Sequence, residues 1–108
     1  MSINKIKKIA KKYANVLLTN NINFINIYIF GSHAKKKAHK NSDIDLAIVI
    51  NKLQKNESKI DKQILLQKLA LDIDTKIEPI ILEKKDFKKG HTSIMADQIE
   101  KNGILIEN

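Results

Sequence analysis

Apolar positions recur along this chain with two different periods, and the switches between them outline the elements. From residue 3 to 18, Ile3, Ile6, Ile9, Ala10, Tyr13, Val16 and Leu17 repeat at helical spacing, while Lys5, Lys8 and Lys12 fall on the other side. This predicts an amphipathic helix ended by Asn20 and Asn21. Phe24 to Phe30 is a short apolar, β-favouring run closed by Gly31, which reads as a buried strand. Residues 32–41 are polar and Lys-rich, with room for one helical turn and a loop.

From Asp43 to Ile50 the period becomes two. Asp43, Asp45, Ala47 and Val49 point one way, and Ile44, Leu46, Ile48 and Ile50 the other. A second helix is predicted from Ser58 to Ile73, with Ser58 and Asp61 at capping-box spacing and Ile60, Ile64, Leu65, Leu69 and Ile73 as its apolar side. Lys76 to Leu82 reads as a third strand. Pro79 cannot donate to a ladder, so this strand should lie at an edge or turn that nitrogen outward. A last short helix over 92–101, ended by Asn102 and Gly103, and a short strand from Ile104 to Ile106 complete the pattern. The predicted fold class is mixed α/β, a small sheet flanked by helices.

Composition narrows the picture. The chain has 108 residues, 43% of them hydrophobic, which suits one modest core, so a single domain over 1–108 is expected. Cysteine is absent, which excludes a disulfide framework and a thiolate metal site and fits a reducing, cytoplasmic setting. No run of 18 apolar residues offers a membrane span, and the basic N-terminus lacks the apolar segment of a secretory leader. The formal charge is +8, yet all 20 basic residues are Lys. Together with the abundance of Ile and Asn, this has the look of A/T-biased coding rather than selection for phosphate contacts. Specific base or phosphate recognition recruits Arg forks, so direct nucleic-acid binding is not expected. The charge can still attract an anionic nucleotide or an acidic partner.

The chemistry concentrates between residues 31 and 45. A strand runs into Gly31-Ser32, ten residues follow, and Asp43-Ile44-Asp45 opens the next strand. Gly31 lets the backbone turn sharply and approach a ligand. Ser32 offers a hydroxyl and a main-chain N–H suited to phosphate oxygens. Asp43 and Asp45, two apart on a strand, leave the same face with Cα atoms about 6–7 Å apart, so both can converge on hard cations. A third carboxylate is expected nearby. Glu78, set between Ile77 and Ile80 in a segment that otherwise reads as buried, is the best candidate, ahead of Asp72 and Asp74. A Gly-Ser pair or an Asp-x-Asp alone would mean little; their spacing and strand context carry the signal. His33 and His39, in a Lys-rich loop, read as solvated, as do the lysines at 84, 85, 88 and 89. Tyr13 and Tyr28 read as core residues.

Gly31-Ser32, ten residues, then Asp43-x-Asp45 resembles the signature of the DNA polymerase beta-like nucleotidyltransferases. The small size is similar to that of their minimal members, often the antitoxin (MNT) half of HEPN/MNT toxin–antitoxin pairs. The match runs from about Phe24 through Leu82. The resemblance implies that Gly31 and Ser32 hold a triphosphate and that Asp43 and Asp45 bind magnesium. Glu78 then stands as the third acid, aiding one metal or taking a proton from the attacking hydroxyl. It implies transfer of AMP from ATP to a hydroxyl with release of pyrophosphate, the acceptor being a tyrosine of a HEPN ribonuclease toxin. The alternative is an antitoxin that silences its toxin by covering it, without catalysis. An oligomeric assembly is left open. Two positions depart from the family pattern. Lys36 stands where relatives usually carry Gly, and is taken here as a further nucleotide contact; the third acid is Glu rather than Asp.

Overall fold

The computed structural model describes residues 2–34, 42–88 and 93–106. Helix α1, Ile3–Thr19, starts at Ser2, whose hydroxyl accepts a hydrogen bond from the Lys5 N–H. It stops at Asn20, and Asn21 takes a positive φ of 59°, a conformation Asn tolerates better than most residues. Strand β1, Asn26–Phe30, leads to the Gly31 turn, and β2, Ile44–Ile50, follows. Helix α2, Lys59–Leu71, is capped by Ser58, which accepts from the Asp61 N–H as its spacing predicts. Strand β3 is Ile77–Glu83; a 3-10 turn, Lys84–Phe87, follows it, then α3, Ile94–Asn102, and the short β4, Ile104–Leu105.

The sheet order is β3-β2-β1-β4. β1 runs antiparallel to both β2 and β4, whereas β2 and β3 are parallel, with α2 as the crossover between them. Alternation along the strands gives the sheet two apolar faces. Ile27, Ile29, Ile44, Leu46, Ile48, Ile50, Ile77 and Ile81 pack with Ile6, Ala10, Tyr13 and Leu17 of α1 and with Leu66 and Ala70 of α2. On the opposite face Ala47 and Leu82 pack with Ile99 of α3, and Tyr28, Phe30, Ile80, Phe87 and Met95 partly cover them. Tyr28 is thus only half-buried and stacks on Phe87, while Tyr13 is fully buried. The Tyr13 hydroxyl donates to the Leu66 carbonyl at 2.8 Å, joining α1 to α2, and its burial raises the phenol pKa well above the ordinary value.

Pro79 lies on an edge strand, as its missing N–H requires. The free edge of β3 is covered by α2 in a way the sequence does not reveal. The Gln63 amide donates to the Pro79 carbonyl at 2.6 Å and accepts from the Ile81 N–H at 3.0 Å, taking the place of a neighbouring strand.

One predicted face is corrected. α2 buries Leu66 and Ala70, with Leu69 and Ile73 partly buried, whereas Ile60 is 72% exposed and Ile64 and Leu65 also face outward. Apolar residues surround this helix, so spacing alone does not fix its rotation. The pairing of Gln63 with β3 and the contact of Leu66 with the Tyr13 hydroxyl select it.

Candidate nucleotide and metal site

The site lies at the end of the sheet where β1 finishes and β2 and β3 begin. Asp45 is flanked in register by Phe30 of β1 and Glu78 of β3, so all three leave the same face of the sheet. Asp43 stands just before β2, one alternation away from Asp45, and is exposed. The three acids named from the sequence are therefore neighbours. Asp45 is half-buried, and desolvation by burial raises its pKa; the charge of Asp43 raises it further, while His33 pulls it back down. Glu78 is exposed rather than buried, because β3 enters the sheet only at Ile77 and its side chain stands at the rim. Its pKa is also raised, first by local desolvation, then by the charges of Asp43 and Asp45 and by a hydrogen bond shared with Asp43. Asp72 is exposed, and the Asp74 carboxylate accepts from the Lys76 N–H at 2.8 Å, so neither joins this group.

Gly31 makes the approach of the turn to these acids feasible. Its φ is +70°, and a Cβ built on it would overlap the Asp45 Oδ2 and stand 3.1 Å from Asp45 Cγ. Any side chain here would be strained and would displace the carboxylate. Gly31 to Ala34 form a turn in which Ser32 is partly exposed. Lys36 and His39 lie outside the described residues.

His33 corrects a sequence expectation. It is only 8% exposed, and its Nε2 has no hydrogen-bond partner among the described residues. A His in a Lys-rich loop carries no periodicity to mark it as buried. It belongs to the turn of residues 31–34, and its burial becomes visible only once that turn is folded.

The donor set suits a hard divalent cation. It consists of carboxylate oxygens, two of whose pKa values are raised in part by mutual repulsion that a cation would relieve. Among the described residues no three His, Cys, Asp or Glu side chains are gathered closely enough to enclose an ion alone.

Residues 4–108 match the family described as polymerase beta, nucleotidyltransferase. The chain is similar to the spectinomycin 9-adenylyltransferase of Enterococcus faecalis, 39% identical over 67 residues; these span 62% of the chain but 23% of that enzyme. Among solved structures, a nucleotidyltransferase from Sulfolobus solfataricus superposes with a TM-score of 0.67 at 22% identity, covering 94% of this chain and 78% of that one. A toxin–antitoxin with AMP-PNP gives 0.62 at 23% identity, over 91% and 72%. The toxin–antitoxin MntA-HepT gives 0.58 at 21%, over 93% and 70%. At these identities the structural likeness establishes the fold alone.

Proposed function

The chain belongs to the polymerase beta nucleotidyltransferase family, and from that premise we propose that it transfers AMP from ATP to a hydroxyl, namely a tyrosine of a HEPN-type toxin, and so acts as an antitoxin. The observation that carries the proposal is the convergence of Asp43, Asp45 and Glu78 beside the Gly31 turn. Asp43 and Asp45 would hold magnesium, with Glu78 at its border; Gly31, Ser32 and Lys36 would hold the triphosphate. Bound magnesium would neutralise charge between the attacking and leaving oxygens. The acceptor oxygen bonds to the α-phosphorus, the bond from that phosphorus to the bridging oxygen breaks, and pyrophosphate leaves. Glu78 takes the proton of the hydroxyl, a role its raised pKa favours. We place the reaction in the cytoplasm. Among the described residues no helix is long and apolar enough to cross a membrane.

A second reading has one observation in its favour. Ile60, Ile64 and Leu71 form an exposed apolar stripe along α2, such as a covering partner would bury. In this reading the antitoxin neutralises by contact alone. Incubation of labelled ATP and magnesium with chain and toxin separates the two. Label transfer to the toxin that disappears with Asp43→Asn supports the enzyme. Neutralisation that survives Asp43→Asn, with no transfer by either form, overturns it.

A further inference from the structure

Helix α2 carries four of the nine large apolar side chains that are exposed among the described residues: Ile60, Ile64, Leu65 and Leu71. At about 100° per residue, Ile60, Ile64, Gln67 and Leu71 fall within about 60° of one another, on the outer side of the helix, away from the buried Leu66. Their spacings of four, three and four read the same in either direction. Reversing the helix therefore lays the stripe on itself, Ile60 over Leu71 and Ile64 over Gln67. Beside it runs an open groove of about 370 Å3, with Ile60 and Ile64 on one wall and Ile80 and Leu82 on the other, so a second helix laid here has room to bury more than the stripe. One flank of the stripe carries Asp61 and Lys68. Both are exposed, and among the described residues neither is in an ion pair. Seven residues separate them, beyond the three or four at which charges on one helix pair.

We propose that the outer face of α2 is the interface of a two-fold dimer, in which the α2 helices of two copies of this chain pack antiparallel. A two-fold interface uses the same surface on both sides, so that residue i meets j and j meets i. Antiparallel packing brings the same flank of each helix together. Asp61 of one copy then faces Lys68 of the other, and the ion pair is made twice. Parallel packing would set that flank against the opposite one, where Gln63 stands, and leave both charges unmatched. The charges thus complement the helix itself, run in reverse, which singles out a second copy as the occupant. Asp61 and Lys68 also suit the dipole at the two ends of α2, but that effect acts within one chain and does not depend on concentration. Because the stripe is short and includes Gln67, the association is weak. α2 packs on the face of the sheet away from the acids, so both candidate sites stay open in the dimer. The inference stands apart from the nucleotidyl-transfer reading, and it gives to a second copy the stripe that the contact-only reading gives to a toxin.

The test is sedimentation of the full chain over a concentration series, with variants that change only exposed charges. Asp61→Lys sets Lys against Lys across the interface, and Lys68→Asp sets Asp against Asp. Each should raise the dimer dissociation constant by about tenfold or more. An equimolar mixture of the two variants should associate at least as tightly as the parent, because each then supplies the charge the other lacks. The double variant, with both charges exchanged, should return to within about threefold of the parent. Ile64→Asp should leave the chain monomeric, and melting curves of all variants check that they remain folded. A parent that stays monomeric up to about 1 mM overturns the proposal. So do single variants that dimerise as the parent does, or a mixture that fails to associate. Loss of toxin binding in Ile64→Asp, with a monomeric parent, assigns the stripe to the toxin and overturns the self-pairing.

Discussion

The carboxylate of Asp45 occupies the space where a side chain at residue 31 would begin, so Gly31 and Asp45 are two halves of one fitted contact. Gly31→Ala therefore disturbs two things at once. The left-handed backbone costs an Ala about 1–2 kcal/mol, and the new methyl drives the carboxylate aside. The expected outcome is a lower Tm together with a loss of Mn2+ affinity larger than the stability change explains. Melting curves and metal titration on the same variant check this.

Acid–base behaviour gives a second expectation. Asp45 titrates above its ordinary value of 3.8 and Glu78 above 4.5. A raised carboxyl pKa means that the folded state holds its proton more tightly than the unfolded chain does. The associated stability is full below the ordinary value and is lost as the pH rises through the folded one. Metal-free Asp45→Asn should thus be modestly more stable than the parent at neutral pH, the gain being reduced by solvent screening of a half-exposed group. The difference should vanish at about the ordinary value of 3.8 and below. Magnesium should stabilise the parent and not the variant. Denaturant titrations across the pH range, with and without the cation, read out both signs.

Tyr13→Phe removes the hydroxyl that reaches the Leu66 carbonyl between α1 and α2. Because the site is fully buried and the ring is retained, the expected cost is about 1 kcal/mol, the net worth of one hydrogen bond. Mn2+ affinity should not change, since the contact lies on the face of the sheet away from the acids. A shift in affinity would show that the helix pair is coupled to the site.

Gln63→Ala exposes the outer edge of β3. The Ile81 N–H and the Pro79 carbonyl lose their partner. Hydrogen exchange should show loss of protection at Ile81 while the amides of β1 stay protected. Self-association at high concentration should increase, as for any uncapped strand edge.

Much of this was legible in the chain. The period-two run after Asp43, the Ser58 cap and the lone proline placed β2, α2 and the β3 edge, because each depends on local chemistry. The acid set was legible for a similar reason. Asp43 and Asp45 share a face by alternation, and Glu78 falls on the next apolar run. What stayed hidden depends on contacts far apart in sequence. The rotation of α2 follows from Gln63 meeting a strand 16 residues on. The burial of His33 belongs to a turn whose first residue, Gly31, lies against Asp45, 14 positions on in the chain. The exposure of Glu78 follows from how far β3 extends, which hydrophobicity alone does not limit.

The acids do not rest on equivalent supports. Asp45 belongs to an interior strand gripped on both flanks, whereas Glu78 rides on a border strand tethered from outside by Gln63. In the proposed reaction this divides the labour between a stiff anchor for the cation and a more yielding acceptor for the proton. In that reaction, changes along β3 would act first on the proton acceptor and leave the strand beneath Asp45 untouched.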